Sequence, residues 1–284
     1  MKNTAFQHCF RLYLALALVL TSSVSWAAEA AHPSLPDWQK LEYEQSAFFA
    51  TAKSSLELVE SSDETANWTL MVQNSVVDNS ENILLEFNPA NGKAITRTRL
   101  SSGEDKRYKV YQYDENGVHR ERREPGQSDA TEPEDWEITS KNVINYPPDL
   151  EDEIVTGPYA LIALASQLIQ ESNKSLDVIV HTDFNFYNVE MDSKPWISLD
   201  VDYEVDGVGE VRGKRSTIAV GLKISPLDKS GDASDFSLLG LQAGYIILSF
   251  DKETGVLLQL RGDAALIGTT EINLKKVYPR SPSQ

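Results

Sequence analysis

The sequence is short of cysteine and histidine, and it lacks any long apolar run. Its single cysteine, Cys9, lies before the apolar stretch Leu12 to Leu20, whereas a lipid-modified cysteine has to lie at a cleavage point behind it. A chain cut behind that stretch carries no disulfide and no thiol chemistry, so its stability must come from burial. Nine apolar residues are about half of the roughly 20 that cross a bilayer as a helix, and no later run is long enough. The mature chain is therefore expected to have no transmembrane segment. Of the four histidines only His32, His119 and His181 lie beyond this stretch, none with recognisable ligand or catalytic spacing. There is no glycine-rich phosphate cradle and no glycine-flanked serine beside a base. No cofactor and no metal are expected, and an enzyme is disfavoured.

The first residues have the order of an export signal. Lys2 and Arg11 come without an acid, the apolar stretch follows, and Ser25-Trp26-Ala27 supplies small residues for cleavage. Ala28-Glu29-Ala30 offers a second frame, so the cut falls after Ala27 or Ala30, with Ala27 favoured. Residues 1–27 are thus read as a signal peptide and the protein as periplasmic. Removing 27 of 284 residues leaves 257, enough for one large core, and takes the net charge from −17 to −19. That charge repels nucleic acid and anionic membrane surfaces.

Beyond the signal, residues 28–40 carry two prolines and no period, and are expected to be a loosely ordered leader. Residues 41–278 read as one β-rich domain, divisible near the acidic, proline-bearing stretch 145–153 into sub-modules 41–145 and 155–278, with 279–284 as a tail. Asn88-Pro89-Ala90-Asn91-Gly92 between two β-prone runs predicts a hairpin. Four strands in a row, 83–87, 93–101, 106–113 and 117–123, form an expected antiparallel meander. Thr156-Gly157-Pro158 followed by Leu161, Leu164, Ala165 and Leu168 at helical spacing predicts one packed helix near 158–170. Leu199, Val201, Tyr203 and Val205 alternate with Asp200, Asp202, Glu204 and Asp206, which predicts a strand with one wet face. Read instead as a calcium loop from Asp202, that row puts Gly213 where a bidentate glutamate is required. Some ten strands against one helix predict a mainly β fold: a large curved antiparallel sheet, half-barrel or open barrel.

One block departs from the acidic background. Between Lys93 and Arg123 stand nine basic residues against five acids. Alternation puts Arg97 with Arg99, and Arg107 with Lys109, Tyr111 and Tyr113, on common faces. The candidate binding residues are Arg97, Arg99, Arg107, Lys109, Tyr111, Arg120 and Arg122, a cationic stripe suited to an anionic headgroup or an acidic partner. The competing expectation is that the acidic loops at 129–137 and 149–153 fold back and neutralise it. A further pair, His181 and Asp183, offers a base and an orienting acid, although a histidine at a strand end is more often structural.

Several segments resemble a known group. Trp136-Glu137-Ile138 through Tyr146-Pro147-Pro148-Asp149, the helix Pro158 to Ser166, Asp235-Phe236-Ser237-Leu238-Leu239-Gly240-Leu241, and Arg120-Glu121-Arg122-Arg123-Glu124-Pro125 are similar to uncharacterised exported proteins of Gram-negative bacteria that share a domain of unknown function. The resemblance implies a curved antiparallel sheet with an inserted helix, loosely similar to the half-barrels of periplasmic lipoprotein carriers. It implies no catalytic or ligand residues.

The leading functional expectation is a non-enzymatic periplasmic protein of the cell envelope that binds a hydrophobic or amphiphilic ligand, such as a lipid, in a concave sheet with the basic stripe at its rim. Two alternatives stand beside it. One is an interaction or scaffold module for another envelope protein; the other is a hydrolase using His181 and Asp183.

Overall fold

The computed structural model describes residues 35–281 except 48–49, 61–66, 127–131, 151–152, 171–174, 229–234 and 266. The predicted signal, His32 and part of the 129–137 loop lie outside the described residues. In chain order the strands are β1 (Trp38–Ala47), β2 (Ala50–Glu60), β3 (Trp68–Val76), β4 (Asn79–Phe87), β5 (Ala94–Ser102), β6 (Arg107–Tyr113), β7 (Gly117–Glu124) and β8 (Glu137–Asn145). Next come β9 (Val155–Thr156), the helix α1 (Ala160–Gln170), β10 (Ser175–His181), β11 (Phe186–Val205) and β12 (Gly209–Pro226). The last three are β13 (Tyr245–Asp251), β14 (Leu257–Ala264) and β15 (Gly268–Pro279).

All fifteen strands belong to one sheet in the order β8-β7-β6-β5-β4-β3-β2-β1-β15-β14-β13-β12-β11-β10-β9. The protein is mainly β with a large curved sheet and one packed helix, the class that the sequence predicts. The first eight strands form a meander. It continues through β1 into β15, and β11 to β15 close on themselves because Glu204 and Val205 also pair in parallel with Lys276 and Val277. Closure needs a strand that can change partners, and β11 does so in its twenty residues. Its first half pairs with β10, a register shift falls between Lys194 and Ile197, and its second half reaches β15. Pro195 sits at that shift, where its missing N–H removes a ladder bond and favours a bend.

The alternating row Leu199 to Val205, expected as a strand, is therefore the second half of one long strand that begins at Phe186. The strand start also differs from expectation. β1 begins at Trp38, inside the segment expected as leader, and Arg280 donates to the carbonyls of Pro36, Trp38 and Leu58.

The inner face of the meander has two halves. Leu41, Tyr43, Leu56, Leu58, Leu70 and Leu85 fill one with apolar bulk, and all are essentially inaccessible. The helix α1 touches β11, β12 and β13, and it meets the meander at the turn between β4 and β5. Its seat is shaped by the Asn88–Lys93 turn. Gly92 has φ +79°, and a Cβ there would stand 2.8 Å from Leu164 Cδ1, so glycine is demanded both by the turn and by the helix above it. Gln167 Nε2 donates to Pro89 O at 3.0 Å and fixes the same approach.

Candidate functional site

In the other half of the meander's inner face the pattern stays the same but the residue types change. Arg97 and Arg99 on β5, Lys109, Tyr111 and Tyr113 on β6, and Arg120 on β7 occupy inward positions that would otherwise be core. Opposite them stands the turn Thr182 to Asn185 between β10 and β11. Asp183 is its centre: Lys109 Nζ contacts one carboxylate oxygen, while Arg99 Nη1 at 3.2 Å and Tyr111 OH at 2.6 Å contact the other. Arg97 donates to the carbonyls of His181, at 2.8 Å, and Thr182, and its guanidinium stacks 4.0 Å from the centre of the Tyr111 ring. Arg99 is also paired with Glu81 on β4.

Burial alone would raise the Asp183 pKa, but the charges of Arg99 and Lys109 and the hydrogen bonds from Lys109 and Tyr111 outweigh it and hold the carboxylate well below the usual range. It stays ionised at every ordinary pH. The same turn is held from its other side by Asp235, whose carboxylate receives Thr182 Oγ1 at 2.7 Å, Tyr187 OH at 2.9 Å, Asn185 Nδ2 at 3.0 Å and the Phe184 N–H at 3.0 Å.

The seven sequence-predicted residues thus separate. Arg97, Arg99, Lys109 and Tyr111 converge on one carboxylate. Arg120 is buried with its guanidinium 4.6 Å from the centre of the Phe184 ring, Arg107 pairs with Asp105, and Arg122 pairs with Glu124. Arg97, Lys109 and Arg120 are at most 8% exposed, so these three do not form an open rim. Neutralisation of the stripe was expected from the loops at 129–137 and 149–153; the acids that meet its centre are Asp183 and Glu81. His181 is inaccessible, packed edge-on to Tyr111 and Tyr113, with Nδ1 3.3 Å from Tyr113 OH. Burial first, and the charge of Arg97 second, push its pKa well down and keep it neutral. Because Asp183 is saturated by cations and His181 is sealed among rings, neither has the freedom of a general base.

Beyond the ion cluster the inward positions turn from charged to small and polar, and the sheet opens into a cleft of about 400 Å³. Its floor is built from the ends of β2 to β5: Ser54, Asn74, Asn79, Ser80 and Ser101 among others. Ser237, Leu239 and Gly240 form the facing wall, and Tyr159 lies at the inner end. A smaller recess of about 60 Å³ shares Glu81, Tyr159 and Ser237 with the cleft and leads to Arg99 and Asp183. Sequence reasoning missed this site. The visible signal was the loss of apolar residues at the ends of alternating rows, as in Leu70, Val72, Asn74 on β3 and Leu85, Ile83, Glu81, Asn79 on β4.

No family model matches the sequence, and no curated protein matches it either. Among solved structures, the chain is similar to a β-barrel-like protein of the domain of unknown function DUF1849 from Brucella abortus. The two share 9% identity with a TM-score of 0.52, over 85% of this chain and 96% of that one. At that identity the likeness concerns the fold: a β-barrel-like architecture that occurs in an uncharacterised domain family of a Gram-negative bacterium.

Proposed function

We propose that the chain is an exported, non-enzymatic protein of the bacterial cell envelope that binds a polar ligand in the cleft over β2 to β5. The ordering of charged, apolar and small residues in 1–27 supports export. The single observation that carries the binding reading is the division of the meander's inner face. Its apolar part, the natural seat for a lipid, is inaccessible, and its cationic part is closed on Asp183, whereas the ends of β2 to β5 stay open with hydroxyls and amides at inward positions. The hydrophobic-ligand expectation gives way to a polar one for that reason.

Expression of the full chain in a Gram-negative host, osmotic-shock fractionation and native mass spectrometry test both parts. The expected result is a shock-released protein beginning at Ala28 that carries a water-soluble adduct, lost in Asn79→Ala/Ser101→Ala. An uncut cytoplasmic chain overturns the location. A bare protein, or an adduct that partitions into organic solvent, overturns the polar cleft.

A further inference from the structure

We infer that the cleft takes a neutral saccharide, an inference that rests on the cleft being the ligand site. Three features define what the walls offer. First, the backbone is not available. The strands beneath the cleft are paired on both edges, β2 with β1 and β3, β3 with β4, and β4 with β5, so a peptide cannot be recognised there by strand addition. Recognition falls to side chains.

Second, the charged side chains around the cleft already have partners. Glu81 is paired with Arg99, Arg107 with Asp105, and Lys53 lies 3.7 Å from Glu44. A charged ligand would have to break one of these pairs. The uncommitted groups are neutral: among the described residues no hydrogen bond engages the hydroxyls of Ser54, Ser80, Ser101 or Ser102. Asn74 donates through Nδ2 to Tyr159 OH at 3.2 Å, and its Oδ1 has no partner there. Hydroxyls and amides donate and accept together, which matches a ligand whose own polar groups are hydroxyls.

Third, the lip is aliphatic and strained. Among the described residues two non-glycine positions have positive φ, Val77 and Leu239, both at 53°. Leu239 lines the cleft, and Val77 follows Val76, which also lines it. Leu239 and Gly240 form a two-residue turn closed by reciprocal hydrogen bonds between Leu238 and Leu241, at 2.9 and 3.0 Å. A bulky residue in this region is strained, and such strain concentrates at ligand sites. Val76, 43% exposed, presents apolar surface beside the hydroxyl floor, suited to the C–H faces that a sugar ring exposes together with its hydroxyls, while Leu239 is buried and holds the facing turn in place.

The test is a titration of the isotope-labelled mature protein, followed by ¹H–¹⁵N spectra, with maltotetraose, chitotetraose, trialanine and inorganic phosphate. At least one oligosaccharide is expected to shift Asn74, Asn79, Ser101 and Leu239, with affinity about tenfold weaker in Asn79→Ala/Ser101→Ala. Ser54→Ala, on β2 and opposite Asn74 of β3, serves the same purpose if the double variant unfolds. Co-sedimentation with insoluble chitin or starch then separates a polymer-borne glycan from a free sugar. Shifts in the cleft with trialanine or phosphate but with neither oligosaccharide overturn the saccharide and leave the cleft reading standing. Spectra unmoved at the cleft by all four probes overturn the saccharide inference, while the adduct measured by mass spectrometry decides the cleft reading separately.

Discussion

Lys109 Nζ and the Asp183 carboxylate touch across the interior, although 74 residues separate them in the chain. The hydrogen-bonded order of the sheet runs from β8 at one end to β9 at the other, so β5 to β7 meet the β10–β11 turn through side chains that reach across and not through strand pairing. The ion cluster is a seam joining the meander to the second half of the sheet.

Removing the central charge should therefore be costly. Asp183→Asn keeps the shape but leaves Arg97, Arg99 and Lys109 without their shared carboxylate, and a broken buried pair destabilises by about 3–5 kcal/mol. Denaturant titration is expected to show that loss, with a Tm lower by roughly 2–4 °C per kcal/mol. Asp105→Asn, which breaks only the largely exposed pair with Arg107, should stay within about 0.5 kcal/mol of the parent. Equal midpoints for Asp183→Asn and the parent would dismiss the seam.

The seam and its histidine respond to pH in different windows. The folded pKa of Asp183 is depressed, so its contribution is complete above the unfolded carboxylate value near ~3.9 and is lost only as pH falls toward its much lower folded value. The folded pKa of His181 is also depressed, by burial first and then by Arg97. For a base this sign means that the unfolded chain takes up the proton first, so stability declines as pH falls below about 6.5. Chemical denaturation at pH 7 and pH 5 should show the parent weaker at pH 5, and His181→Asn should flatten that slope whatever its absolute stability. A slope unchanged by the substitution would assign the acid sensitivity elsewhere.

Much of this architecture is legible in the sequence, because alternation in Leu199 to Val205 and helical spacing in Leu161 to Leu168 are local signals. The Asn88–Gly92 turn is legible for the same reason. The barrel closure is not, since it depends on Val205 meeting Val277, 72 residues away, after a shift at Pro195 that reads locally as a strand break. The basic stripe is visible from its composition, yet its acid is invisible. Proximity in sequence favours the loops around 129–137 and 149–153, whereas the chain's return path brings Asp183 from the β10–β11 turn. Which inward rows stay apolar and which turn polar was readable, but only once the face of each strand was known.

The seat of α1 gives a further prediction. Gly92→Ala places a Cβ 2.8 Å from Leu164 Cδ1 at a φ of +79°, so strain and clash act together. A loss of about 2 kcal/mol or more is expected by denaturant titration. Gly255→Ala, at a φ of +67° in the turn before β14 with no atom within 4 Å, should carry the strain alone and lose less. Matching losses in both would mean that the turn, and not its contact with the helix, sets the requirement.

Truncating the helix side of the same contact separates packing from occupancy. Leu164 is almost wholly buried between the turn and the barrel, and Leu164→Ala should cost about 2–5 kcal/mol through lost transfer energy and the void left behind. Leu84, on the outward face of β4 and 46% exposed, should cost far less when cut to alanine. The void also decides whether α1 is a fixed part of the core. If it is, amide exchange in α1 of the Leu164→Ala variant should quicken together with β4 and β12, as one unit whose global stability has fallen. Quickening confined to α1, with β4 and β12 unchanged, would show a helix able to leave its seat. It would return the apolar half of the sheet to consideration as a place for a ligand.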